Sequence, residues 1–291
     1  MSEPVDQLPV STTPYAAPPQ PDQTPVEEPA RLGPLARLTG TLLSPGETFA
    51  DINRKPTWIA PFLIAVVTTL GFSFFFEWRV KPDWDKFFQA TVEKRMGKPL
   101  KDLPPEQQEQ VKKQLDIQKK IATTDLKSPL SLLITLARTL VFYTFGFLIP
   151  AGIFALGLMF MQAKTTFKKI LSVVAWSWCA TGLVGLLVTV ASLMVRDSES
   201  LRDINLADPA GFVPSNLAVF LPTGSSPVLG AIAGSLDVFT IWYLILLAIG
   251  FTAIAGTRKF KTSKAVALVF GLWGIWVLVK VGFAALGFGR G

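Results

Sequence analysis

The stretch that decides the fold is 237–288. It reads DVFTIWYLILLAIGFTAIAG (237–256), TRKFKTSK (257–264) and AVALVFGLWGIWVLVKVGFAALGF (265–288). Two long apolar runs flank eight residues that hold Arg258, Lys259, Lys261 and Lys264 and no acid. The first run carries one charge, Asp237, and the second carries one, Lys280. A helix rises ~1.5 Å per residue, so about 20 apolar residues cross a hydrocarbon core of ~30 Å. Each run is long enough for one crossing. Short loops rich in Lys and Arg stay on the cytoplasmic side, which fixes the expected orientation of this hairpin and of everything before it.

The composition agrees with that reading. Half of the 291 residues are hydrophobic, 17% are charged, and the mean hydropathy is +0.42. A soluble chain would spread its apolar residues at helix or strand period. Here they form long, nearly uncharged blocks, and transmembrane barrel strands would alternate instead. The fold class expected is all-α: a polytopic integral membrane protein, a five-helix transmembrane bundle with a disordered Pro-rich N-terminal tail.

The formal net charge is +7. The basic residues hug the apolar blocks and no RNA- or DNA-binding motif is present, so they read as helix anchors and not as a nucleic-acid surface. The single cysteine, Cys179, allows no disulfide within the chain and no Cys-rich metal site. Histidine is absent. That removes His-based acid–base catalysis, the Ser–His triad and the usual zinc sets. No cofactor, no metal and no enzymatic activity are expected.

Upstream of the hairpin, residues 1–30 are Pro-rich and acidic, with Glu3, Asp6, Asp22, Glu27 and Glu28 and no Lys or Arg. Such a stretch buries too little apolar surface to offset its ordering entropy and reads as a solvated, partly polyproline II tail. It lacks the basic start and apolar core of a signal peptide. Residues 31–57 form an amphipathic cytoplasmic segment. Leu32, Leu35, Leu38 and Leu42 recur at helical spacing, and Ser44-Pro45-Gly46-Glu47 has the form of a helix start with a reciprocal cap. The two short helices expected there either lie on the cytoplasmic leaflet or pack on the protein's own spans.

The membrane domain is expected over 58–288, with spans at about 58–76, 141–161, 170–195, 237–256 and 265–288. Trp58 and Trp78 bracket the first span. Leu130 to Leu140 reads as an interfacial lead-in to the second, in which Pro150 should introduce a kink. A second short basic loop, with Lys164, Lys168 and Lys169 and no acid, precedes the third. Small residues in the third span, Cys179, Ala180, Gly182 and Gly185, suggest a tight helix contact. With both basic loops inside, the N-terminus is cytoplasmic, and the connections 77–128 and 196–235 are outer loops. The first outer loop expects one helix capped by Asp83 and stopped by Gly97. A second starts at Pro104-Pro105, with Glu109–Lys113 and Asp116–Lys120 pairs. It also carries twelve basic residues against nine acids, and long loops translocate with less regard to charge.

Three stretches resemble the Yip1 domain family. LLSPGETFADI at 42–52 is similar to the family's opening before its first span. LDVFTIWYLILLAIGF at 236–251 is similar to its fourth span, with Phe239, Trp242 and Gly250. SKAVALVFGLWGIW at 263–276 is similar to its fifth, with Lys264, Ala265 and Trp273. The resemblance covers about residues 40 to 288. It implies a multi-pass helical membrane protein without known catalysis, in a family whose eukaryotic members are associated with Rab GTPases and ER–Golgi traffic. The form of the motifs points to a prokaryotic-type member in the inner (cytoplasmic) membrane.

Two charges stand out for function. Lys280 lies within the last span, and an intramembrane charge is a candidate site by default. Asp237, at the outer end of the neighbouring span, is its candidate partner; snorkelling to the outer interface is the alternative for the lysine. Arg138 has the same ambiguity in the second span. The function expected is a membrane-organising or trafficking-like scaffold in contact with the lipid bilayer. Membrane or cytoplasmic protein partners and self-association into a homo-oligomer are both compatible with it. The alternative is a small transporter or channel component using Lys280 and the Pro150 kink.

Overall fold

The computed structural model describes residues 32–96, 100–122, 128–197, 201, 213–222, 224–256 and 260–286. The expectations for the Pro-rich tail, for Gly97 and for Arg258 and Lys259 lie outside the described residues. So does the Lys120 side chain of the expected Asp116–Lys120 pair. Helices make up the regular structure: α1 (Pro34–Leu43), α2 (Pro45–Arg54), α3 (Ile59–Val80), α4 (Trp84–Met96), α5 (Pro105–Ala122), α6 (Pro129–Phe160), α7 (Phe167–Val195), α8 (Pro227–Ser235), α9 (Val238–Ile254) and α10 (Thr262–Ala285). Short 3₁₀ turns sit at Leu100–Asp102 and Leu217–Phe220.

Local chemistry sets many of the boundaries. Proline at a first helical turn costs no hydrogen bond, and Pro34, Pro45, Pro129 and Pro227 start α1, α2, α6 and α8. Ser128, Ser226 and Asp237 cap α6, α8 and α9 by accepting from the N–H groups of Ser131, Leu229 and Thr240. Asp83 caps α4 as expected, accepting from Lys86 N at 3.0 Å. Glu109 and Lys113 pair on α5 at 2.9 Å.

Ser44 departs from expectation. It is the N-cap residue of α2, but its side chain makes no capping bond. Its backbone serves two helices instead: Ser44 N donates to Gly40 O, closing α1, while Thr48 N and Thr48 Oγ1 both donate to Ser44 O, opening α2. That corner needs glycine at position 40, where an added Cβ would meet Thr48 Oγ1 at 2.4 Å.

Four helices are long and apolar enough to cross a membrane: α3, α6, α7 and α10. The fifth, α9, is apolar throughout but has 17 residues, ~25 Å of rise. It is preceded, after a break of two residues, by the apolar α8. The fourth expected span is therefore a short helix preceded by another, with Leu236 closing α8 and Asp237 capping α9. The second crossing differs too. The expected lead-in and span are one 32-residue helix, ~48 Å long, running unbroken through Pro150.

Of the most apolar windows of the four long spans, only 11–22% is buried inside the protein. Leu148, Ile149, Leu156 and Met159 on α6, and Ile275, Trp276 and Leu278 on α10, all face outward. In water such a surface would aggregate; lipid tails solvate it.

The core is concentrated at one end. From Ile170 to Ser177 every α7 side chain is buried. The neighbours that cover this stretch come from α1, α2, α3, α6 and α9. Phe147, Phe154 and Leu158 of α6 and Leu244 to Ile254 of α9 complete the cluster. Gly250 brings α9 close to α7 and α2: a Cβ there would stand 2.4 Å from Val173 Cγ1 and 3.3 Å from Phe49. The amphipathic segment is part of this core. Phe49 and Ile52 are fully buried in it, so α1 and α2 pack on the spans and do not lie apart on a leaflet.

Candidate functional site

Two polar clusters interrupt the apolar bundle, one at each end. At the densely packed end, Arg37 of α1 and Asp51 of α2 form a buried ion pair, with side chains 4% and 5% exposed. Arg37 Nε and Nη2 donate to Asp51 Oδ2 at 2.9 and 2.8 Å. Nη1 donates to Lys55 O at 3.0 Å and to Thr57 Oγ1 at 2.6 Å. Nη2 also reaches Asp51 O at 3.5 Å. These contacts use the whole guanidinium fork, as a buried arginine requires. Thr57 in turn accepts from Trp176 Nε1 through its carbonyl at 2.8 Å. The cluster thus ties α1, the end of α2 and the start of α3 to the centre of α7. With its charge neutralised and its donors committed, it is a fastening.

Around it lies a basic rim. Lys55, Lys164, Lys168, Lys261 and Lys264 are exposed, and Lys169 is half-buried. Backbone contacts bring their segments together. Asn53 Nδ2, two residues before Lys55, donates to Ala253 O at 3.2 Å, and Lys164 N donates to Ala255 O at 2.9 Å. Gly256 follows with φ +66°, and an added Cβ would lie 2.3 Å from Lys164 O. The expected orientation-setting residues Lys164, Lys168, Lys169, Lys261 and Lys264 therefore share one end of the bundle. The only acids described there are Glu47, which is exposed, and the engaged Asp51.

At the far end, Lys280 and Asp237 meet the same helix break from different sides. Lys280 Nζ donates to Ser235 Oγ at 2.9 Å, at the C-terminus of α8. Asp237 Oδ1 accepts from Thr240 N at 2.8 Å, at the N-terminus of α9, and its Oδ2 is hydrogen-bonded to Ser215 Oγ. A cation at a helix C-terminus and an anion at an N-terminus each match the local dipole. The two charges take different serine partners, Ser235 and Ser215, and form no direct ion pair among the described contacts. Pro150, the other candidate, leaves α6 continuous.

Sequence reasoning passed over Arg37, Asp51, Thr57 and Trp176 as a unit. The signal was a carboxylate inside the apolar arc of α2: Thr48, Phe49, Asp51 and Ile52 are all buried. A buried acid demands a cation, and Arg37 was the nearest off the leucine stripe. Among the described residues, no three His, Cys, Asp or Glu side chains converge as metal ligands.

No curated protein and no solved structure matches the chain. The family model described as the Yip1 domain matches residues 39–284. That range begins in α1, takes in the Arg37-facing Asp51, all five apolar helices and both ends of the bundle, and stops within α10. By this match the chain belongs to the Yip1 domain family.

Proposed function

We propose that this protein is a non-enzymatic scaffold in a prokaryotic cytoplasmic membrane, with its N-terminus and basic end in the cytoplasm, where it holds protein partners. The observation that carries the reading is the fastening of α1 and α2 onto α7 and α9 through Arg37, Asp51, Phe49 and Ile52. A free amphipathic arm presents no fixed surface; a fastened one presents a preformed platform, which lowers the ordering cost of binding. The lysine rim supports the orientation, since such loops remain inside.

Cross-linking in native membranes followed by capture tests it. The native chain should bring down a defined partner. Phe49→Ala, which loosens the platform, should lose that partner while the protein still inserts. Equal capture by both would contradict the reading.

The transporter or channel alternative draws on one specific feature, the α8–α9 break beside Lys280 and Asp237, because interrupted helices supply ion-binding ends inside membranes. Ion or solute flux in proteoliposomes of the purified chain alone would favour that alternative.

A further inference from the structure

We propose that the acidic segment 1–30 docks on the lysine rim of its own bundle. The rim is strongly basic: Lys55, Lys164, Lys168, Lys261 and Lys264 are exposed, and of the two acids described at that end Asp51 is buried against Arg37, leaving Glu47 as the exposed one. The segment has the opposite sign, with five acids and no Lys or Arg. The connection also fits. The described chain begins at Leu32, just before α1, and α1 packs along α7, whose first turn bears Lys168 and Lys169. Extended chain covers at most ~3.6 Å per residue. Glu27 and Glu28 therefore stay within about 20 Å of Leu32, and Asp22 within about 36 Å. They can reach across the end of a helical bundle but not to its far end along spans of ~40 Å.

Tethering makes the encounter intramolecular, with an effective concentration in the millimolar range for a short flexible connection. Each exposed contact is weak, ~1 kcal/mol at 4 Å in water, and falls with salt. Several acting together, at that local concentration, keep free anions and anionic headgroups off the rim at low ionic strength. The docking is independent of which side of the membrane the rim faces and of the scaffold reading, because the acidic segment is tethered through Leu32 to the helix that packs along α7.

Carbodiimide coupling of the full-length protein in nanodiscs tests the docking. The reagent activates a carboxylate, a touching lysine amine displaces it, and an amide remains for mass spectrometry. Amides should join Asp22, Glu27 or Glu28 to the five rim lysines in both zwitterionic and anionic nanodiscs. Their yield should drop at least about fivefold between roughly 20 mM and 500 mM salt. A variant with E3Q, D6N, D22N, E27Q and E28Q should give none. Mixing light and heavy-isotope chains should show the products to be intramolecular. Absence of tail-to-rim products would overturn the proposal, as would yields indifferent to salt. Products only between chains would make a second copy the occupant, and products lost in anionic nanodiscs would make lipid headgroups the occupant; either result overturns it.

Discussion

Asp51→Ala strands a guanidinium inside the packed end of the bundle. The variant removes the oxygen that accepts from Arg37 Nε and Nη2 at 2.9 and 2.8 Å, while Lys55 O and Thr57 Oγ1 stay in place. Removing one member of a buried pair costs ~3–5 kcal/mol. Arg37→Ala should cost more, because it also leaves the Lys55 carbonyl and the Thr57 hydroxyl without their donor, ~1–3 kcal/mol for each group left unsatisfied. The double variant leaves no unpaired charge, so its loss should fall short of the sum. The coupling should lie near the top of the ~0.5–3 kcal/mol range seen for contacting residues. Glu109 and Lys113 provide the control: that pair is on the surface, with side chains about 70% exposed, and such pairs contribute ~0.3–0.5 kcal/mol. Denaturant unfolding in detergent micelles, followed by far-ultraviolet circular dichroism, reads both cycles. Where the alanine variants fail to fold, Asp51→Asn and Arg37→Gln complete the same cycle. A coupling no larger than the Glu109–Lys113 value would refute the claim that this pair fastens α1 and α2 to the spans.

Three further substitutions probe the packing and the far end. Gly250→Ala should destabilise by ~1–3 kcal/mol, since its Cβ would stand 2.4 Å from Val173 Cγ1; adding Val173→Ala should recover most of the loss in the same unfolding assay. Gly256→Ala should cost ~1–3 kcal/mol, because φ is +66° and the new Cβ would meet Lys164 O at 2.3 Å; Gly33→Ala, with open space around it, is the comparison that should do little. Lys280→Ala removes the donor to Ser235 Oγ and should lower the folded yield in size-exclusion chromatography more than it alters any ion flux; normal yield with a flux lost would contradict a structural role.

The spans were readable because uncharged blocks of 20 or more residues have few other solutions. The cap at Asp83 and the helix start at Pro45 were readable from local chemistry, but the expected Ser44 side-chain cap does not form. The length of α6 was not: Arg138 looked like a divider, yet an exposed arginine in the N-terminal third of a 32-residue helix interrupts nothing in the backbone. The α8–α9 interruption was hidden because Asp237 reads equally as the end of a span and as the cap that starts one. The Arg37–Asp51 fastening lay 14 residues apart in sequence, and only the tight Gly40–Thr48 corner brings its two helices together. The pairing of Lys280 was half legible. Its depth pointed to a partner at the outer end of the neighbouring span, and the hydroxyl two residues before Asp237 is the group it meets.

Three apolar helices, α6, α7 and α9, lie between the α5 connection and Lys261 of the lysine rim, so the two should face opposite sides of the membrane. Single cysteines at Gln110 and Lys261, both exposed, test it in a Cys179→Ser background with a membrane-impermeant maleimide on intact cells. Position 110 should label from outside and position 261 only after permeabilisation. Labelling of both positions from the same side would contradict it.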